Sequence, residues 1–155
     1  MSEKLLELLL KKGKVRRQSA GFSQIEALLG EAILDLEEAK KIKDIAERAT
    51  YLLAYMAMLK TGRAFLLLYG YVPDDGGQHK TVVEASGSLL GEKYKEIILQ
   101  FETMRRKRNE LTYEAGTLLS GSEARRAFED AIDFTKMVLK EVKRKNPQLA
   151  LDFER

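Results

Sequence analysis

The stretch YLLAYMAMLKTGRAFLLLYG (51–70) decides the fold of this protein. It is apolar almost all the way round a helix, which predicts a central helix with neighbours on every side. We expect this helix to run from about Asp44 to Tyr69. Gly70 and Pro73 then end it, because glycine adopts the backbone conformation that closes a helix and proline cannot continue one.

Two capping-box patterns predict the starts of flanking helices. Ser23 is followed three residues later by Glu26, and Ser120 is followed in the same way by Glu123. In such a pattern the two side chains bond the free backbone amides of the first helical turn. The helix after Ser120 is expected to run to about Lys145 and to bury one face. That face consists of Ala124, Ala127, Phe128, Ala131, Thr135, Val138 and Val142.

Two further helices are predicted between these, at about 79–90 and about 92–115. Long amphipathic helices with short connections are typical of antiparallel bundles. The sequence therefore predicts an all-α fold, an antiparallel bundle of four or five helices over 23–146.

The two ends of the chain differ from the bundle. Residues 1–22 form a predicted basic arm, with a small helix over Glu3–Lys11 and five basic residues between positions 11 and 17. We expect this arm to dock on another surface. Residues 147–155 follow the last helix as a C-terminal tail, since Pro147 stops that helix.

Composition excludes several classes of site. The 155 residues contain no cysteine and a single histidine, His79, which excludes disulfides, cysteine nucleophiles and metal sites with several histidines. We predict neither a metal nor a cofactor. The net charge of +3 is too small to indicate nucleic-acid binding by itself. Lys60 and Arg63 interrupt the longest apolar run before it reaches the roughly 18–20 residues that span a bilayer, so we expect a soluble, cytoplasmic protein.

Two arginines occupy positions where the pattern predicts apolar residues. Phe101, Met104 and Leu111 form an apolar stripe, and Arg108 fills the gap in it. Arg63 interrupts an apolar line of the central helix in the same way. A guanidinium there needs acceptors, and its planar fork suits carboxylates and phosphates. Two interpretations stay open, a ligand-binding arginine and a structural arginine tied to an internal carboxylate or a helix end.

Other polar residues accompany Arg108. Arg105, Asn109 and Tyr113 are spaced four apart and share a neighbouring helix face. Cations, an amide and a phenol together suit a phosphate and a base or sugar. His79 follows a glycine-rich loop and opens a helix, where free amides favour phosphate. A purely structural role for His79 is equally open at this point.

Seven short motifs, taken in chain order, resemble those of a known family. They are Glu38-Ala-Lys40, Ala54-Tyr-Met-Ala57, Gly62-Arg-Ala64, Gly70-Tyr71-Val72-Pro73, Gln78-His-Lys-Thr-Val82, Met104-Arg-Arg-Lys-Arg-Asn109 with Tyr113, and Ser120-Gly-Ser-Glu-Ala124. Together they resemble the HEPN family, the higher eukaryotes and prokaryotes nucleotide-binding domain, over about residues 5–145. The branch that this chain resembles has a Met-Arg-Arg-Lys-Arg-Asn…Tyr signature.

The resemblance implies a helical bundle that dimerises through its signature helices. Many members of the family are metal-independent ribonucleases, often toxins encoded beside a minimal nucleotidyltransferase antitoxin. Arg108 and Asn109 match the first two positions of the family motif. The motif's histidine is not matched, because Tyr113 stands at that position after four intervening residues.

Tyrosine, with a pKa near 10, is a poor base at pH 7, whereas histidine is suited to RNA cleavage. We therefore expect a homodimer that binds RNA or nucleotide, acts with a minimal nucleotidyltransferase and has weak or lost catalysis. The residues expected to bind the ligand are Arg63, His79, Arg105, Arg108, Asn109 and Tyr113. One alternative is an active metal-independent endoribonuclease that uses Arg108, Asn109, Tyr113 and His79, with His79 folded toward the arginine helix. A second alternative is an interaction scaffold without a nucleic-acid role.

Overall fold

The computed structural model describes residues 3–19, 21–74 and 78–151. Over these residues the chain forms six α-helices, one short 3-10 helix and one pair of short strands. In chain order they are α1 (Glu3–Lys11), β1 (Val15–Arg17), α2 (Phe22–Ile42), α3 (Glu47–Leu68), β2 (Tyr71–Pro73), α4 (Gln78–Leu90), the 3-10 helix (Glu92–Tyr94), α5 (Lys95–Tyr113) and α6 (Gly121–Lys145). The predicted all-α bundle is confirmed.

Helix α3 is the centre of the bundle, as its sequence predicts. It packs against α2, α4, α5 and α6, and Ala54, Tyr55, Ala57 and Met58 on it are fully buried. It is long and apolar enough to cross a membrane by length and composition, but 72% of its most apolar window is buried inside the protein. That burial is typical of the core helix of a folded domain.

Gly62 lets two neighbouring helices approach α3 closely. A Cβ atom built at this position would lie 2.8 Å from Cγ1 of Val82 on α4 and 3.3 Å from Cε2 of Phe101 on α5. The first distance is shorter than real carbon contacts allow, so glycine is needed here. The approach brings the start of α4 and the middle of α5 to the same side of α3.

The ends of the helices confirm some local predictions and correct others. At the start of α6, Oγ of Ser120 accepts a hydrogen bond from the Glu123 amide at 3.1 Å, and the Glu123 carboxylate accepts one from the Ser120 amide at 3.0 Å. The predicted capping box at Ser23 is wrong. Gly21 is the residue that precedes α2, and no side chain caps this helix. Ser23 lies inside the first turn, where its hydroxyl cannot take the N-cap position.

Two predicted helix boundaries also differ from those in the structure. The central helix begins at Glu47, not near Asp44, because the chain turns between α2 and α3. Helix α5 ends at Tyr113, one or two residues before the predicted end. The end of α3 is as predicted, with Gly70 in the left-handed region at φ 86°.

The N-terminal segment packs on the body of the same chain. The predicted helix over Glu3–Lys11 is confirmed as α1. It packs against α4, with Leu6 and Leu9 buried and the Leu6 amide donating to Oγ of Ser88 at 3.2 Å. Strand β1 then pairs antiparallel with β2, with Val15 opposite Pro73. The surface on which this segment docks is therefore formed by α4 and β2.

The tail is described as far as Leu151. Leu149 is buried, and Leu151 packs partly buried against the core. The remaining tail positions, 152–155, lie outside the described residues, as do positions 1, 2 and 20 of the predicted arm.

Candidate phosphate-binding site

One face of α5 positions two arginines beside the central helix. Phe101 is fully buried, and its ring centroid lies 6.1 Å from that of Tyr55 on α3. Arg105 and Arg108 follow Phe101 at spacings of four and seven, which places them one and two turns further along the same face. Both residues are half-buried. Regular helical geometry thus carries these cations from the core contact at Phe101 toward the surface.

The start of α4 brings His79 to the same place. Tyr55 is 0% exposed, and its Oη lies 2.8 Å from Nδ1 of His79. The two ring centroids are 5.7 Å apart. Because His79 is the second residue of α4 and is half-buried, the hydrogen bond fixes one side of the imidazole within the protein. We call the group of Tyr55, His79, Arg63, Arg105 and Arg108 the Tyr55–His79 site.

The positive charges of three arginines act on both rings of this pair. Burial lowers the pKa of His79 below its ordinary 6.5, and the charges of Arg108, Arg63 and Arg105 lower it further. Burial also raises the pKa of Tyr55 to about 12, although the positive charges of the same three arginines oppose this rise. Both rings are therefore neutral at pH 7 and lie in a positive potential. Such a potential favours an anionic ligand.

Among the residues that the structure describes, Arg108 hydrogen-bonds an amide and no carboxylate. Its Nη1 donates to Oδ1 of Asn109 at 3.3 Å. Asn109 is also half-buried and follows Arg108 directly in α5. The two first residues of the predicted motif are thus in contact, and the charge of Arg108 is available to a ligand.

Arg105 has a carboxylate partner in the same helix. Its Nε and Nη2 donate to the two carboxylate oxygens of Glu102 at 2.7 and 2.8 Å, and Nε of Arg106 shares the second oxygen at 2.9 Å. These hydrogen bonds lower the pKa of Glu102 to about 2, and the largest effect comes from Arg105. Arg105 therefore contributes less net charge to the site than its position suggests.

The remaining predicted residues lie in different surroundings. Arg63 is half-buried on α3 and acts electrostatically on both His79 and Tyr55. Tyr113 is the last residue of α5 and is 76% exposed. Among the described contacts, none joins Tyr113 to Arg108 or His79. Arg63, Arg105 and Arg108 thus act electrostatically on His79, whereas the described contacts do not connect Tyr113 with this group.

Tyr55 is the residue of the site that sequence reasoning missed. Within the apolar run of α3, a tyrosine is typical of a core aromatic residue. The only sequence signal is its hydroxyl, which needs a hydrogen-bond partner when buried. The partner lies 24 positions further along the chain.

The described residues contain no group of three histidine, cysteine, aspartate or glutamate side chains that could hold a metal ion. In the comparisons with known proteins, no family model matches this sequence and no curated protein matches it significantly.

Proposed function

We propose that this chain is a HEPN-like protein that binds the phosphates of RNA or of a nucleotide at the Tyr55–His79 site, with weak or lost catalysis. The observation that carries the proposal is the position of His79, whose Nδ1 lies 2.8 Å from Oη of Tyr55 on α3. The positive charges of Arg108, Arg63 and Arg105, which lower the pKa of His79, support it. Arginine forks match phosphate oxygens, and several of them acting on one half-buried ring are typical of an anion site.

Two exposed side chains of α5 support binding of a nucleic acid in particular. Tyr113 is 76% exposed at the end of α5, where an aromatic ring can stack on a base. Arg106 is exposed on the same helix. Cations for the backbone and an aromatic ring for a base are the two parts of a single-strand binding surface.

Partners and location belong to the same proposal. The resemblance to the HEPN family supports a homodimer whose two Arg108 residues line one cleft, working with a minimal nucleotidyltransferase in the cytoplasm. Leu118 is 85% exposed, and its carbonyl accepts a hydrogen bond from Lys107 of α5. An exposed leucine beside the arginine helix is consistent with a surface that an assembly covers.

A second candidate function is metal-independent RNA cleavage. The observation that favours it is the position of His79 at the start of α4, because an imidazole under the influence of the Arg108 charge is the group that Tyr113 cannot replace. Cleavage needs a base for the 2′-hydroxyl and stabilisation of the charge on the phosphate. His79 and Arg108 would take these two roles.

Binding is tested by fluorescence anisotropy with a labelled, unstructured single-stranded RNA at rising salt. We expect the affinity to fall as salt rises, because phosphate contacts release counterions. Arg108→Ala should weaken binding about 10- to 100-fold, the equivalent of one charged hydrogen-bonding group at about 1.5–3 kcal/mol. Arg144→Ala is the matched control, because Arg144 is an exposed arginine of α6 that pairs with Glu141. Binding that ignores salt and Arg108 would favour an interaction scaffold.

The two candidates differ in the fate of the RNA. Incubation of the same RNA with the protein in EDTA, followed by a denaturing gel, reads cleavage directly. Intact RNA under conditions of full binding is the expected result. Cleavage that disappears in both Arg108→Ala and His79→Ala, with both variants folded, would replace binding by ribonuclease activity as the function.

A further inference from the structure

We propose that Tyr55 is a positioning residue that holds His79 in the tautomer with its proton on Nε2, so that the ring donates a hydrogen bond to a bound phosphate. The phosphate in this statement rests on the proposed function. The assignment of the tautomer does not depend on a ligand, because it starts from the 2.8 Å contact between the two side chains and the burial of Tyr55.

The first step is the hydrogen of the Tyr55 hydroxyl. Tyr55 is 0% exposed, so water does not reach it. A buried hydroxyl without an acceptor costs about 1–3 kcal/mol. Among the described residues, the one hydrogen-bond partner of this oxygen is Nδ1 of His79 at 2.8 Å. The phenol keeps its hydrogen at neutral pH, because its pKa is raised to about 12. Tyr55 is therefore the donor and Nδ1 the acceptor.

The second step is the state of the imidazole. A neutral ring carries one proton, and a ring that accepts at Nδ1 carries it on Nε2. Charged groups that act on the two rings come from both packed helices, Arg63 from α3 and Arg105, Arg108 and Glu102 from α5. The arginines and burial favour the neutral ring. The Tyr55 hydroxyl favours it as well, because an imidazolium would donate from Nδ1 to the phenol oxygen and leave the buried phenol hydrogen without an acceptor.

The third step is the consequence for chemistry. Nε2 is the nitrogen that does not contact Tyr55. With a proton there, it donates to a phosphate oxygen beside Arg108 but has no lone pair with which to act as a base. Tyr55 thereby makes the site one that holds RNA without cutting it. This gives a physical reason for weak or lost catalysis that is independent of Tyr113.

The test reads the tautomer directly in the free, full-length protein. His79 is the single histidine of the chain, so a long-range proton–nitrogen correlation spectrum of the ¹⁵N-labelled protein shows one imidazole. At a pH above its midpoint we expect Nε2 to be the protonated nitrogen in the wild type. In Tyr55→Phe we expect a mixture of the two tautomers and an upward shift of the titration midpoint. RNA affinity of this variant should fall about three- to tenfold.

Tyr51→Phe is the matched control, because Tyr51 is also buried and lies one turn earlier in α3. It should leave the imidazole spectrum unchanged. A wild-type ring protonated at Nδ1, or a Tyr55→Phe spectrum equal to that of the wild type, would overturn the inference. If Tyr55→Phe does not fold, a wild-type correlation between the Tyr55 hydroxyl hydrogen and Nδ1 of His79 takes its place, and the absence of that correlation would overturn the inference.

The two proposals can fail separately. A ring protonated at Nδ1 together with RNA binding would leave the arginine site in place and remove the role of Tyr55. A ring protonated at Nε2 that responds to Tyr55→Phe, together with no RNA binding at any salt, would overturn the proposed function while the Tyr55–His79 assignment stands.

Discussion

Two regions of this molecule pair a tyrosine hydroxyl with a titratable side chain among cations, and they differ in one respect. At the Tyr55–His79 site the partner is an imidazole that lies near three arginines. At the far end of α3, Oη of Tyr69 donates to the carboxylate of Glu141 at 2.7 Å. Arg144 donates to the same carboxylate at 2.7 Å, and Lys145 lies 4.1 Å from the Tyr69 ring centroid. We call these four residues the Tyr69 cluster.

This difference separates the proposed binding site from a surface ion pair. In the Tyr69 cluster Glu141 balances the charge of Arg144, and hydrogen bonds from Arg144 and Tyr69 lower the pKa of Glu141 to about 2. A cavity of about 430 Å³ lies beside Tyr69, and Arg144, which lines it, is already paired with Glu141. At the Tyr55–His79 site, Arg108 donates to an amide. A positive potential over a neutral ring favours an anion. The size of a cavity does not by itself indicate an anion site.

Replacement of Tyr55 and of Tyr69 by alanine should give the largest difference between the two regions, in the free energy of unfolding. Tyr55→Ala removes a fully buried aromatic ring and should lower the free energy of unfolding by about 3–5 kcal/mol. Tyr69 is 37% exposed, so Tyr69→Ala should lower it by only about 1 kcal/mol. Urea unfolding followed by circular dichroism measures both. Equal losses for the two variants would show that the two ends of α3 are packed alike.

Neutralising one carboxylate in each region should change RNA affinity at the Tyr55–His79 site but not at the Tyr69 cluster. Glu102→Gln removes the negative charge that pairs with Arg105, so RNA affinity should rise about three- to tenfold, in line with the roughly 1 kcal/mol at the upper end for solvent-accessible ion pairs. Glu141→Gln is the control and should change affinity less than about twofold. Fluorescence anisotropy at low salt measures both. A Glu102→Gln protein that binds RNA more weakly would mean that Glu102 holds Arg105 in its binding position.

The pH dependence of stability should differ between the two regions, because His79 and Glu141 contribute to the free energy of unfolding in different pH ranges. The folded pKa of His79 is below 6.5, so the unfolded chain takes up this proton first as pH falls. Stability from His79 is therefore complete above pH 6.5 and is lost as pH falls through the folded pKa. The folded pKa of Glu141 is about 2 against an ordinary 4.5, so its contribution is lost only between those values.

Unfolding free energies of the wild type, His79→Gln and Glu141→Gln at a series of pH values test this order. The wild type and His79→Gln should differ in slope just below pH 6.5, and the wild type and Glu141→Gln only below about pH 4.5. A His79 titration midpoint above 6.5 would contradict the burial and positive potential of the site.

The smallest effect is expected for Arg144→Ala. Its side chain is 65% exposed, and exposed ion pairs contribute little to stability. The midpoint of thermal unfolding should stay close to that of the wild type. A large decrease would indicate that the Tyr69 cluster is a structural support of α6 and not a surface pair.

Local sequence patterns predicted elements whose signals lie within a few neighbouring residues. The capping box of Ser120 and Glu123 was correct, because both its residues belong to one turn. The same pattern at Ser23 was wrong, because the preceding chain lets the helix begin one residue earlier, at Phe22. Strands β1 and β2 were not predicted, since each has three residues and gains its hydrogen bonds from a segment more than fifty positions away.

The sequence by itself determined the all-α class, the central place of α3 and the irregular arginines of α5. These follow from helical periodicity, which is a property of the chain taken in order. Only the tertiary structure brought His79 to those arginines and gave the Tyr55 hydroxyl its partner. That outcome depends on how closely α4 and α5 approach α3 at Gly62, and the spacing between helices is decided by packing of side chains that are distant in sequence.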